Sequence, residues 1–168
     1  MSSSSPAIAS GSFVAPNASV TGAAAVYDQA SVWYNATLRG DPHAATLGFK
    51  SALCENATLA ATPSHPASAG HFVTIGPNAV VEGATLGDSV VVGANAVVGQ
   101  GAVVGAGSVV QDGAVVGENV AVPGGEVWGG NPAAFVRKAS EGDAIDATHA
   151  YEGNVARAKA HAAEYFPQ

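Results

Sequence analysis

The chain has 168 residues, of which 48% are hydrophobic and 11% are charged, and its formal net charge is −7. This composition excludes an intrinsically disordered chain, which combines low hydrophobicity with high net charge. The only adjacent pair of basic residues is Arg137-Lys138, so nucleic acid is not expected as a partner.

The N-terminal residues 1–12 are predicted to be a Ser-rich tail. They lack the hydrophobic core of a signal peptide and the arginines of a mitochondrial presequence, so the sequence does not predict how the chain is targeted. Cys54 is the single cysteine, which excludes an internal disulfide and favours a reducing compartment. The apolar runs are far shorter than a membrane span, and no transmembrane segment is predicted.

From residue 13 to residue 136, aliphatic residues recur every six positions with few exceptions. The repeating residues are Val14, Val20, Val26, Val32, Leu38, Leu47, Leu53, Leu59, Ile75, Val81, Leu86, Val92, Val98, Val104, Val110, Val116 and Val122. A loop break is predicted near 60–74, where the period is interrupted. A helix would require a period near 3.6 and would be weakened by the 21 glycines of the chain.

A six-residue period indicates a short strand followed by a corner, and three such units close a triangular coil of about 18 residues. The sequence therefore predicts a mainly β fold, a parallel β-helix of five to six coils. Hexapeptide coils of this type wind left-handed, which is an exception to the usual right-handed crossover. The flat apolar sides of such a prism favour a threefold oligomer.

The C-terminal residues 137–168 are predicted to form a helix packed along the side of the prism. Ser140 and Asp143 resemble a capping pair at a helix start. An apolar face then runs at helical spacing from Ala144 to Tyr165.

Few residues offer catalytic chemistry. Arg39 and Asp41 are the charged pair inside the coils, and an unpaired buried guanidinium would be costly. A zinc site needs three or four convergent ligands, whereas His43, His65 and His71 lie in the irregular segments and His149 and His161 on the predicted helix. A cryptic zinc site from His65, His71 and either Cys54 or Glu55 remains an alternative. Without it, Cys54 is predicted to be a buried structural thiol.

Several motifs together resemble the γ-class carbonic anhydrases, over the chain from about Phe13 to its last residues. The most specific motifs are VAPNASV, SVWYNATLRGD, GEVWGGNPAAFVRK and ATHAYEGNVARAKAHAAE. The last two are similar to the γ-carbonic-anhydrase subunits of mitochondrial complex I in plants, algae and some protists.

The resemblance implies a metal site between subunits that has lost its ligands. In the family three histidines hold the metal, and the positions that match them here are Ala60, Pro77 and Glu82. The Gln-Asp pair of the family corresponds to Cys54 and Glu55, the neighbours of this degenerate site. Arg39 and Asp41 match an intersubunit salt bridge. No catalytic residue and no metal ligand set are therefore expected in this chain alone, and zinc is expected only at an interface between partner subunits.

The function that this resemblance implies is a non-catalytic structural subunit of mitochondrial complex I, the NADH dehydrogenase of the respiratory electron-transport chain. Its partners would be two other γ-carbonic-anhydrase family subunits, in a heterotrimer, and the membrane-arm subunits of complex I. Its location would be peripheral, on the matrix side of the inner membrane. The alternatives are a hexapeptide-repeat acyltransferase that uses His65 or His71, a residual carbonic anhydrase with a cryptic site, and another β-helical scaffold such as a dynactin pointed-end subunit.

Overall fold

The computed structural model describes residues 5–165, with only the backbone given at Tyr165. Short strands dominate this part of the chain, and one long helix follows them. In chain order the elements are β1 Ala7–Ile8, β2 Phe13–Val14, β3 Ser19–Val26, β4 Ser31–Val32, β5 Thr37–Leu47, β6 Ala52–Leu53, β7 Thr58–Ala60, β8 Ala67–Ala69, β9 Thr74–Ile75, β10 Val80–Glu82, β11 Thr85–Leu86, β12 Val91–Val92, β13 Val97–Val98, β14 Val103–Val104, β15 Val109–Val110, β16 Val115–Val116, β17 Ala121–Val122, β18 Glu126–Gly129, β19 Ala134–Lys138 and α1 Glu141–Tyr165.

Parallel pairing between successive coils builds the three sides of a prism. Side 1 contains β2, β4, β6, β9, β12, β15 and β18. Side 2 contains the first halves of β3 and β5 with β7, β10, β13 and β16. Side 3 contains β1 and the second halves of β3 and β5 with β8, β11, β14 and β17. The parallel β-helix is confirmed, and side 1 counts seven coils where five to six were predicted.

The predicted break near 60–74 accounts for part of this difference. Strand β8 lies inside it and pairs with β5 and β11, so only residues 61–66 leave the coil. Ala69 occupies the inward position, in register with Leu47 and Leu86. Because Ala69 is small, the spacing of large aliphatic residues does not predict this strand, although the coil continues through it.

The repeating aliphatic residues form inward columns that fill the prism. Leu38, Leu59 and Val81, for example, are in register on side 2 and fully buried. The corner from side 1 to side 2 is turned by asparagines with φ of 61–63°, a conformation that Asn tolerates well. These asparagines are Asn35, Asn56, Asn78 and Asn95. The buried aliphatic columns and the asparagine turns therefore both favour the same parallel β-helix.

Helix α1 begins at Glu141, four residues after the predicted boundary at 137, because residues 134–138 form β19 antiparallel to β18. The predicted capping pair is confirmed, since the Asp143 carboxylate accepts a hydrogen bond of 2.7 Å from the Ser140 N–H. The helix packs on side 1, where Ala158 joins a buried cluster with Phe13 and Trp33. Sides 2 and 3 are left for other contacts. No helix within residues 5–165 is both long and apolar enough to span a membrane.

Candidate functional site

Three of the sequence-predicted residues form one row across neighbouring coils, at the end of side 2. Arg39 in β5 is in register with Ala60 in β7, and Ala60 is in register with Glu82 in β10. Adjacent strands lie about 4.8 Å apart. We call Arg39, Ala60 and Glu82 the edge row. The structure thus brings together two of the three positions that match metal ligands, Ala60 and Glu82.

Pro77 lies at the opposite end of side 2. Its carbonyl accepts a hydrogen bond of 3.0 Å from the Asn95 N–H, and the Asn78 N–H donates to the backbone carbonyl of Glu55 one coil below. Pro77 and Glu82 are five positions apart in the sequence, a distance on the order of 10–15 Å at a rise of about 3.3 Å per residue. Ligands of one zinc ion lie about 2 Å from the metal. Pro77 and Glu82 of the same chain therefore cannot serve one ion.

The side chains at these positions do not fit zinc. Ala60 and Pro77 have no donor atom, and Glu82 supplies one carboxylate where three or four ligands are needed. Within residues 5–165, no three His, Cys, Asp or Glu residues are grouped so that they could hold a metal ion. Neither end of side 2 therefore offers a metal site built from this chain.

Arg39, Asp41 and Glu82 are exposed in the structure. Asp41 lies where β5 turns from side 2 to side 3. Within the described part of the chain, none of these three side chains makes a hydrogen bond or an ion pair. These three side chains can therefore form ion pairs with another molecule. An intersubunit salt bridge of Arg39 and Asp41 stays a prediction.

Cys54 and Glu55 face the C-terminal helix. The Glu55 carboxylate pairs with Arg157 at 3.1 Å, and the Cys54 thiol is buried in the cluster around Trp33. Burial, and then the negative charge of Glu55, raise the pKa of the Cys54 thiol to about 12, although Arg157 acts in the opposite direction. In this chain both residues contribute to the attachment of α1.

The histidines do not converge. His65 lies in the loop from side 2 to side 3, and its Nδ1 is buried without a partner among the described residues. His71 lies at the corner from side 3 to side 1, where its Nδ1 accepts a hydrogen bond of 2.9 Å from the Phe49 N–H. Cys54 lies at the third corner, after β6 on side 1. The alternative of a cryptic zinc site from these residues therefore does not form within the described chain.

An aromatic cluster under α1 was not anticipated from the sequence. The ring of His161 lies 5.3 Å from Trp33 and 6.0 Å from Phe13, and its Nδ1 lies 2.9 Å from the Tyr34 hydroxyl. The Arg157 guanidinium stacks over Trp33 at 3.7 Å. The Trp-Tyr pair at a coil corner was the signal available in the sequence, but it does not reveal which helix residues cover it.

No family model matches the chain. Individual relatives do match, among them three mitochondrial proteins of Arabidopsis thaliana. Gamma carbonic anhydrase 3 is 46% identical over 95% of this chain and 64% of its own length, and gamma carbonic anhydrase 1 is 36% identical over 95% and 60%. Gamma carbonic anhydrase-like 1 is 44% identical over 84% of this chain and 58% of its own length. Over most of its length the chain is therefore similar to γ-carbonic anhydrases and γ-carbonic-anhydrase-like proteins. It spans less than two thirds of the length of each of these relatives.

Solved structures agree with the parallel β-helix fold of this chain. A hexapeptide transferase family protein from Anaplasma phagocytophilum has a TM-score of 0.86 and 29% identity, and the match covers 92% of each chain. An N-acyltransferase from Bacillus cereus has a TM-score of 0.69 at 13% identity, over 88% of this chain and 90% of its own. The second likeness concerns the fold alone.

Proposed function

We propose that this chain is a non-catalytic structural subunit of a γ-carbonic-anhydrase-type heterotrimer attached to mitochondrial complex I. The observation that carries the proposal is the donor set at the positions of the family's metal ligands. Two of the three positions, Ala60 and Pro77, have no donor atom, and the third, Glu82, lies across side 2 from Pro77. Hydration of CO2 at neutral pH requires a metal-bound water with a pKa near 7, and this chain offers no ligand set for that metal.

The surface of the prism supports a role in assembly. Sides 2 and 3 each carry one outward row along the middle of the side that is uncharged and rich in β-branched residues. Side 2 shows Thr37, Thr58, Val80, Val97 and Val115. Side 3 shows Thr46, Ser68, Thr85, Val103 and Ala121. Because α1 occupies only side 1, two flat sides remain for two neighbouring subunits, as a trimer requires.

The placement in mitochondria rests on the relatives, several of which are named as mitochondrial proteins. The attachment to complex I, on the matrix side of its membrane arm, rests on the GEVWGGNPA and HAAE motifs that resemble its γ-carbonic-anhydrase subunits. In such a heterotrimer the two partners are other family members that carry histidines. Zinc is then held only where two such partners meet.

Native mass spectrometry of the endogenous assembly tests this proposal, with subunit masses and bound metal recorded together. We expect one copy of this chain with two heavier family members, at most one metal ion, and co-migration with complex I. A homotrimer of this chain that holds three metal ions would refute the proposal. So would an assembly without any other family member.

A second candidate is an acyltransferase, favoured by the likeness to the hexapeptide transferase family protein. His65 is the residue to examine, because its Nδ1 has no partner within residues 5–165. The purified chain is assayed for acyl transfer from acetyl-CoA beside a His65→Ala variant. Activity that disappears in the variant would favour the enzyme over the structural subunit.

A further inference from the structure

Three charged residues at the corner between sides 2 and 3 lack partners among the residues that the structure describes. Arg39 and Glu82 flank the buried Ala60 in the edge row, and Asp41 follows Arg39 by two residues. We call Arg39, Asp41 and Glu82 the corner charges. They comprise one positive and two negative groups, next to the uncharged middle rows of sides 2 and 3. Burying them against a neighbour without partners would be costly.

A second copy of this chain has few cations to offer. The whole sequence contains six Lys and Arg residues. Three of them are already paired within the chain, as Arg137 with Asp143, Lys138 with Glu126 and Arg157 with Glu55.

The other three do not provide a cation for Glu82. Lys50 lies over the Phe49 ring at the corner between sides 3 and 1, and Lys159 lies on α1, which covers side 1. Of the Lys and Arg residues, only Arg39 remains on sides 2 and 3, and the nearby His43 already contacts the Pro63 carbonyl through its Nε2 at 3.1 Å. In a head-to-tail ring of identical chains, the single Arg39 of each copy would face two carboxylates, Asp41 and Glu82.

We propose that Glu82 pairs with a Lys or Arg side chain of a neighbouring β-helical chain that is not a copy of this one. The inference rests on the proposed function, because it takes that neighbour to be another family member. Across the same contact, Arg39 pairs with an acidic residue and Asp41 with a basic residue at the matching positions of the neighbour. The carboxylate of Glu82 is left over, so the neighbour must supply one additional cation. The carboxylate thus selects a partner at a position where the chain has no metal ligand set.

Photo-crosslinking identifies the partner residue directly. A photoreactive amino acid replaces Val80, which precedes Glu82 on β10 and points outward on side 2, so that Glu82 itself is kept. The full chain is irradiated in its endogenous assembly, and the crosslinked peptide is identified by mass spectrometry. We expect the crosslink to lie beside a Lys or Arg residue of a different β-helical chain. A peptide from a second copy of this chain, or one without a cation, would overturn the proposal.

A charge variant provides the second measurement. Glu82→Gln is expected to weaken the heteromeric assembly roughly tenfold, with a smaller effect at high salt because the pair is screened. Glu152→Gln makes the same charge change on an exposed residue of α1 and should leave the assembly unchanged. Equal stability of the Glu82→Gln assembly and the wild type would overturn the ion pair.

The two proposals fail in different ways. An endogenous assembly with no other family member, or without complex I, contradicts the proposed function. If another family member is present but Glu82→Gln binds it as tightly as the wild type does, the structural role stands and the ion pair does not. A stable homotrimer of the wild-type chain would refute the proposal that the neighbour of Glu82 is a different chain.

Discussion

The guanidinium of Arg157 lies 3.7 Å from the centre of the Trp33 ring and joins the C-terminal helix to side 1 of the prism. Trp33 is fully buried, and Arg157 also pairs with Glu55 at 3.1 Å. A cation over an indole face is stabilised by the ring quadrupole, and more so when it is partly desolvated. This contact therefore explains why the helix packs on side 1, where Trp33 is located.

Loss of this contact should destabilise the protein measurably. We expect Arg157→Ala to lower the free energy of unfolding by about 1–2 kcal/mol, since both the stacking and a half-exposed ion pair are removed. Arg157→Lys should lose less, because it keeps a cation. The measurement is urea unfolding followed by tryptophan fluorescence. Lys159→Ala, on the same helix, is the control, and equal midpoints for the two alanine variants would contradict the role of Arg157.

The thiol of Cys54 should be nearly unreactive in the folded protein. Its pKa is raised to about 12 by burial and by Glu55, which leaves about a thousandfold less thiolate near pH 8 than an unperturbed thiol has. The measurement is the rate of reaction with a thiol reagent at pH 8, with and without denaturing urea. Labelling should be fast only in urea. Equal rates under both conditions would show that the thiol is accessible.

Much of the fold follows from the sequence because one physical rule repeats in every coil. Leu38, Leu59 and Val81 are at positions where only an inward aliphatic residue fits, so their spacing alone predicts the prism. Strand β8 was not predicted, since Ala67 and Ala69 are small and Pro63 and Pro66 precede them in a manner typical of a loop. Backbone pairing holds this strand in the coil without help from large side chains.

The candidate site was only partly predictable. A strand of known period fixes which residues share a row, and the edge row of Arg39, Ala60 and Glu82 follows from that. The position of Cys54 and Glu55 against α1 does not follow, because it depends on which side of the prism the helix covers. That choice is made by Trp33 and Arg157, which are 124 positions apart in the sequence.

Two residues with positive φ should respond in opposite ways to the same substitution. Lys50 has φ of 55° and Phe72 has φ of 60°, a conformation that is unfavourable for both residue types. Lys50→Asn should stabilise the protein, by on the order of 0.5 kcal/mol, because Asn tolerates this conformation. Phe72→Asn should destabilise it by roughly 1–2 kcal/mol, because Phe72 packs 5.0 Å from the Tyr151 ring on α1.

Thermal unfolding of the two variants measures this difference. Stabilisation by both substitutions would mean that the Phe72–Tyr151 contact contributes nothing. Destabilisation by both would mean that the backbone at Lys50 is not strained.

The start of α1 should give the protein a pH-dependent stability. Hydrogen bonds from Arg137, and then from the Ser140 N–H, hold the pKa of Asp143 well below its ordinary value of 3.8. A carboxyl with a lowered folded-state pKa stabilises the fold above its unfolded-state pKa, and this contribution is lost as the pH falls through the folded-state value. We therefore expect Asp143→Asn to lower Tm at pH 5 and pH 7, with a difference that shrinks below about pH 4.

Asp146→Asn, an exposed residue of the same helix, is the matched control and should change Tm little at any of these pH values. A difference between Asp143→Asn and the wild type that stays constant down to pH 2 would indicate that the charge of Asp143 is not the cause.

Two buried hydroxyls should differ in what their removal does. The Thr74 Oγ1 lies on side 1 without a hydrogen-bond partner among residues 5–165, whereas the Ser108 Oγ donates a hydrogen bond of 2.7 Å to the Pro123 carbonyl. Thr74→Val keeps the shape and removes an unsatisfied polar group, so it should stabilise the protein by about 1 kcal/mol. Ser108→Ala leaves the Pro123 carbonyl without its donor and should cost about 1 kcal/mol. Urea unfolding of both variants measures the two changes in stability. Destabilisation by Thr74→Val would mean that the Thr74 hydroxyl is hydrogen bonded in solution, by a water molecule under α1.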